Sequence, residues 1–182
     1  SRRRRPSASR VGSSAASDGY RGQLLARGPW VAGSYFRHDD ESTHLESDDG
    51  SWLRTGDVAT INDEGYITIV DRAKDVIKSG GEWISSIDLE NAAIAAPSVA
   101  EAAVIGLPHD RWGERPLLLV VLHNESELSQ KEILDVMKPQ VPSWWLPNDI
   151  VAIDQIPHTG TGKIDKKVLR TQFVDHSWPA VT

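Results

Sequence analysis

Polar and apolar residues alternate most clearly between positions 57 and 70. Asp57-Val58-Ala59-Thr60-Ile61 and Tyr66-Ile67-Thr68-Ile69-Val70 flank the turn Asn62-Asp63-Glu64-Gly65. That pattern predicts a β-hairpin, since side chains alternate faces along a strand and Asn, Asp and Gly suit the turn. Upstream, Gly22 to Pro29 predicts a short strand closed by Gly28-Pro29. Downstream the period changes. Ser85 and Ser86 can cap a helix through Ile87, Leu89, Glu90 and Ile94 that stops at Pro97. Ala102-Ala103-Val104-Ile105-Gly106-Leu107 and the run from Pro116 to Leu122 have strand length and the apolar character of buried strands. Ser129 and Glu132 have capping-box spacing for a helix through Ile133, Val136 and Met137, ended by Pro139 and Pro142. Asp149 to Ile153 predicts a further strand, residues 157–162 a loop and residues 165–173 a terminal helix. The expected fold class is α+β, a small β-rich subdomain followed by an α+β C-terminal domain with a small central sheet. We expect residues 20–73 to form the first piece and 74–176 the second, with a disordered Arg/Ser-rich segment at 1–19 and a tail at 177–182.

Composition narrows the classes. With 39% hydrophobic and 25% charged residues over 182 positions, wholesale disorder and low-complexity repeats do not fit. The absence of cysteine excludes disulfide scaffolds, cysteine nucleophiles and thiolate metal sites. Arg2, Arg3, Arg4, Arg5 and Arg10 supply five of the 20 basic residues, leaving 15 basic against 26 acidic in the remainder. So acidic a body argues against general nucleic-acid binding, which needs a basic face to displace counterions. The arginine run resembles a transit peptide or a basic arm in composition, but with no apolar periodicity through residues 7–17 a disordered tail is the better reading. No apolar stretch reaches the roughly 18 residues of a membrane span, and no secretory core follows the arginines. A soluble, cytoplasmic protein is expected. The acids of residues 37–51 (Asp39, Asp40, Glu41, Glu46, Asp48, Asp49) lack EF-hand spacing and predict a solvated loop.

Three places could carry chemistry. Pro157-His158-Thr159-Gly160-Thr161-Gly162-Lys163-Ile164 is a small-residue loop delivering one lysine just before a helix, able to bring amides and an ammonium to a phosphate. It is not a P-loop, which would need Gly at position 157 and Ser or Thr at 164; on spacing alone an ordinary Gly-Thr turn is the better reading. Thr55-Gly56-Asp57 and Asp71-Arg72 bracket the hairpin, putting a carboxylate and a guanidinium at its open ends. They suit a ribose diol or phosphate, or simply pair with each other. Lys78 beside Gly80 and Gly81 marks either close backbone approach to a ligand or a flexible turn.

Taken in order, these pieces resemble the C-terminal part of AMP-forming acyl-CoA synthetases of the adenylate-forming superfamily. The stretches that carry the resemblance are Leu25-Ala26-Arg27-Gly28-Pro29, Trp52-Leu53-Arg54-Thr55-Gly56-Asp57, the run Asp71 to Ser85 and the loop at 157–164. Together they cover about residues 19–176. Lys78-Ser79-Gly80-Gly81-Glu82-Trp83-Ile84-Ser85, with Trp112-Gly113-Glu114-Arg115-Pro116 and Trp144-Trp145-Leu146-Pro147, is most similar to the medium-chain fatty-acid branch.

The resemblance implies an acid–thiol ligase. A carboxylate attacks ATP to give an acyl-adenylate and pyrophosphate, and CoA then displaces AMP. By matching positions, Asp57 and Arg72 bind the ribose hydroxyls, Lys163 is the adenylation lysine and Lys74 lies at the hinge about which the C-terminal domain swings. Lys78, Gly80, Gly81 and Trp83 replace Lys163 at the adenylate for the second step, the paired glycines letting pantetheine pass. Glu90 matches a family glutamate, though on a capped helix a structural role is equally open. The family's glycine-rich phosphate loop, its Tyr-Gly-x-Thr-Glu motif and its acyl pocket match nothing here. The chain is therefore expected to be a fragment, inactive alone, with Mg2+ held mainly by the upstream part. Other readings are an adenylation domain of another superfamily branch, such as nonribosomal peptide synthesis, a noncatalytic nucleotide-binding or regulatory remnant, and a basic-arm nucleic-acid binder.

Overall fold

The computed structural model describes residues 10–11, 20–31, 43–48, 50–123 and 126–179. Arg2 to Arg5, the acids Asp39, Asp40, Glu41 and Asp49, and the last three residues of the tail lie outside the described residues. The chain divides into two units, Ser1–Lys74 and Asp75–Thr182.

The first unit is an antiparallel sheet of β1 (Arg10–Val11), β2 (Tyr20–Ala26), β3 (His44–Ser47), β4 (Gly50–Ile61) and β5 (Ile67–Arg72). The long strand β4 is its spine. β2 runs along one edge of β4, while β3 and β5 pair with the first and last parts of the other. The alternating pattern produces the β4–β5 hairpin, whose turn is closed by Gly65 N donating to Asn62 O (2.9 Å) and Tyr66 N to the Asn62 side chain (2.8 Å). One expectation is corrected. β3 and the start of β4 lie inside the stretch read as a solvated loop; Ser47 Oγ donates to Gly50 O (3.0 Å), and β3 is largely exposed, so no apolar alternation marks it. Arg10–Val11 pairs with Leu24 and Leu25 at the edge of β2 away from β4, and the other residues of the 1–19 segment lie outside the described residues.

The second unit contains β6 (Ile77–Ser79), β7 (Glu82–Ile84), α1 (Ser86–Ile94), β8 (Val99–His109), β9 (Gly113–Leu122), α2 (Gln130–Met137), a 3-10 turn at Ser143–Trp145, β10 (Asp149–Ala152) and α3 (Lys166–Gln172). β9 is central, antiparallel to β8 and parallel to β10; the β6–β7 hairpin attaches through Ser79 opposite Gly113. All three helices begin at a side-chain cap. Ser85 Oγ accepts from Asp88 N, Ser129 Oγ from Glu132 N and the Asp165 carboxylate from Val168 N.

The unbroken apolar runs are explained by burial on both faces of this sheet. Ala102, Val104, Leu118 and Val120 face α1 and α2, with Leu89, Ile133 and Met137. Their neighbours Ala103, Ile105, Leu117 and Leu119 face the other way, against Leu169 of α3 and Ile156. Each fully buried Leu or Ile contributes about 1.5–3 kcal/mol, so a polar residue anywhere in β8 or β9 would be costly.

Candidate functional site

In the first unit, Asp57 and Arg72 are directly opposite in the β4–β5 ladder. Arg72 Nε lies 3.4 Å from Asp57 Oδ1, with the Asp57 side chain 24% exposed and that of Arg72 53%. Such an exposed pair contributes little to stability. Its remaining oxygen and guanidinium protons are available to an outside hydroxyl or phosphate. The preceding residues set this position. Gly56 takes φ of 77°, Thr55 Oγ1 donates to Leu24 O (3.0 Å) and accepts from Asp57 N (3.1 Å), and Ala73 N donates to Gly56 O (2.8 Å). Lys74, exposed, is the last residue of this unit.

In the second unit, the loop before α3 is a cross-braced turn. Thr159 N donates to Lys163 O (2.7 Å), Gly162 N to Thr159 O (2.9 Å) and Asp165 N to Pro157 O (2.7 Å), and His158 bridges to Ile164. Gly162 takes φ of 79°, a conformation that L side chains resist. Lys163 N donates to Thr159 Oγ1 (3.3 Å). The Lys163 side chain is exposed, and among the described residues no carboxylate is paired with its ammonium. The turn's outer arm is held by His158 Nε2, 2.7 Å from Glu101 Oε1.

The paired glycines form the two-residue turn between β6 and β7, with φ of 60° at Gly80 and 88° at Gly81. Positive φ at both positions is what a type I′ hairpin turn needs. Lys78 is opposite Trp83 and Ser79 opposite Glu82, so each pair shares one face of the hairpin. Lys78 is exposed and Trp83 half-buried. Lys78 N donates to Glu114 (2.8 Å) and Gly80 N to Trp112 O (2.8 Å), tying the hairpin to β9 and its approach.

On the Ser79–Glu82 face lies a cavity of about 380 Å³, lined also by Gly80, Trp112, Arg115, Trp144 and Asn148. Arg115 is its structural centre. Its guanidinium donates to Asn148, to Ser79 Oγ (3.0 Å) and to the carbonyls of Trp144 (2.9 Å) and Leu146 (2.9 Å). Burial pulls its pKa below the usual arginine value, though a guanidinium stays charged. Arg111 is instead exposed and stacks over Trp112, 4.7 Å from the ring centre. The stretches around Trp112 and Trp144 were visible in sequence only as branch markers. Nothing in their spacing shows that they meet across Gly80.

Glu90 lies elsewhere, between α1, β8 and α3. Its carboxylate accepts from Val104 N (2.8 Å) and pairs with Lys166 Nζ (2.7 Å). Among the described residues no group of three or more His, Asp or Glu side chains is arranged to hold a metal ion. No helix among them is long and apolar enough to cross a membrane.

Residues 88–163 match the AMP-binding enzyme C-terminal domain. The chain is 47% identical over 154 residues to the 3-methylmercaptopropionyl-CoA ligase of Ruegeria lacuscaerulensis, covering 85% of this chain and 28% of that protein. It is 48% identical over 155 residues to the medium-chain fatty-acid–CoA ligase of Ectopseudomonas oleovorans, with the same two coverages. Among solved structures, ATP-bound MatB from Rhodopseudomonas palustris superposes with a TM-score of 0.77 at 29% identity, over 92% of this chain and 34% of that one. The chain thus spans little more than a quarter of the curated relatives it matches.

Proposed function

We propose that the chain serves as the C-terminal domain of an AMP-forming, adenylate-forming ligase that joins a fatty acid to CoA, a reading supported by the match of residues 88–163 to the AMP-binding enzyme C-terminal domain and by the likeness to ATP-bound MatB. The observation that carries this reading is Lys163, an exposed ammonium with no carboxylate partner among the described residues, at the end of a turn braced by its own backbone. When a carboxylate attacks the α-phosphate of ATP, negative charge accumulates on the phosphoryl oxygens. A preorganised cation there stabilises the transition state more than the bound substrates. Asp57 would accept hydrogen bonds from the ribose hydroxyls, and Arg72 would donate to the same sugar.

In the second half-reaction the CoA thiolate attacks the acyl carbonyl, the acyl–phosphate bond breaks and AMP leaves. For that step we assign Lys74 as hinge, and Lys78, Gly80, Gly81 and Trp83 as the face brought to the adenylate. Two features support it. An added Cβ at Gly81 would meet no atom within 4 Å, leaving its backbone open to a thin ligand. The indole-rimmed cavity beside Gly80 is of a size to take part of CoA. The likeness to the medium-chain ligase and to the long-chain fatty-acid–CoA ligase of Thermus thermophilus, 43% identical over 155 residues, supports a fatty acid as the carboxylate.

The test is Lys163→Ala in the complete enzyme, with the half-reactions followed separately. Adenylate formation, read by pyrophosphate exchange, should slow by about 10²–10³-fold, as for loss of one transition-state charge contact. Thioester formation from supplied acyl-adenylate should persist. Equal losses in both would make Lys163 structural.

A further inference from the structure

The Lys163 side chain makes no hydrogen bond or ion pair within the described residues, so the position of its ammonium is inherited from whatever fixes the turn. Three residues further on, Lys166 opens α3, and three residues of chain span at most about 10 Å. The Lys166 ammonium is not on the surface. Its side chain is 10% exposed, and Nζ lies 2.7 Å from Glu90 Oε1, itself 12% exposed, while donating to Ser86 Oγ at 2.6 Å. Ser86 and Glu90 are four residues apart and so share one face of α1. Glu90 Oε1 also accepts from Val104 N of β8. One carboxylate therefore joins α1, β8 and the first residue of α3, and α3 cannot slide along α1 without breaking two short bonds.

Stability alone does not require this. A buried ion pair is often matched or bettered by well-packed apolar side chains, so what it adds is direction. Immediately beside it, Asp165 N holds Pro157 O and the Asp165 carboxylate caps α3. The other arm of the turn is held at His158 by Glu101. Lys163 stands between these two fastenings.

We propose that Lys166, clamped by Glu90 and Ser86, is a positioning residue for Lys163, fixing the start of α3 and through it the turn that presents the catalytic ammonium. The proposal rests on the adenylation role of Lys163. Loosening the clamp leaves the ammonium present but misplaced. Adenylate formation then falls, while thioester formation, which does not use the turn, is spared.

The experiment compares Lys166→Met, Lys166→Arg, Glu90→Gln and Lys163→Ala in the complete enzyme. Lys166→Met should slow pyrophosphate exchange by about 10- to 100-fold, the range expected of a misplacement of about 1 Å. The ATP KM and the rate from supplied acyl-adenylate should both stay within about twofold. Glu90→Gln keeps an acceptor for Val104 N and should give a smaller loss of the same kind; Lys166→Arg, which keeps the cation, should recover part of the rate. If Lys166→Met does not fold, Glu90→Gln and Ser86→Ala are read on the same ratio of half-reactions. Equal slowing of both half-reactions, or no slowing of either, overturns the proposal. If Lys163→Ala impairs adenylation and the clamp variants do not, only the positioning role falls. If Lys163→Ala leaves adenylation untouched, the reading of Lys163 falls and takes this one with it.

Discussion

Gly80 shows how one residue can satisfy a backbone and a neighbour at once. Its φ of 60° is one an alanine reaches at a cost of about 1–2 kcal/mol, and a Cβ there would lie 3.1 Å from Trp112 Cε3. Gly80→Ala should therefore lower stability by roughly 2 kcal/mol once the indole is displaced. Gly160→Ala is the control: its φ is not positive and no atom lies within 4 Å of the added carbon, so its effect should stay within about 0.5 kcal/mol. Urea titrations of the two variants would show it, and equal midpoints would remove the steric argument. In sequence the paired glycines leave two readings open, a turn or a ligand passage. The turn follows from local conformation. The packing against Trp112 does not, because 32 residues separate the two and no periodic pattern links them.

At the scale of elements, legibility follows how local the cause is. The caps at Ser85 and Ser129 are readable because the hydroxyl bonds an amide three residues on. The β4–β5 hairpin is readable from alternation, and it carries Asp57 opposite Arg72. By contrast, β6 and β7 have three residues each, too few to display a period, and exposed β3 has no apolar face to announce. The loop between α2 and β10 is tied to β6 and β9 by Arg115, whose four acceptors span Ser79 to Asn148. That planar fork predicts that Arg115→Lys is not conservative: an ammonium has three donors and the wrong geometry. Leaving at least one buried acceptor without a partner should cost about 2 kcal/mol, and the cavity beside Gly80 should lose its shape. A denaturant midpoint shift with unchanged slope, together with a raised KM for CoA in the complete enzyme, is the expected result. Wild-type behaviour in both would make Arg115 a surface residue in effect.

For the whole molecule, the order of motifs along the chain was more informative than any one of them. The lysine loop by itself reads as a plain turn; the reading proposed for it rests on its following a Thr-Gly-Asp bulge, an Asp-Arg strand end and a Gly-Gly hairpin at the spacing on which the resemblance was drawn. What no motif expresses is movement. The β-ladders of the described residues all lie within one unit or the other, and none crosses Lys74. Rotation at that residue would therefore leave both sheets intact, which is the physical requirement for a hinge. Lys74→Pro confines φ to about −65° and restricts Ala73 as well. If the two half-reactions need different φ/ψ at this residue and adenylation proceeds in the conformation that proline permits, the variant should keep pyrophosphate exchange within about threefold while its thioester step falls by about tenfold or more. Lys74→Ala, which keeps the backbone free, should preserve both. Parallel losses in both half-reactions for the proline variant, or loss of adenylation alone, would overturn the assignment of Lys74 as a hinge.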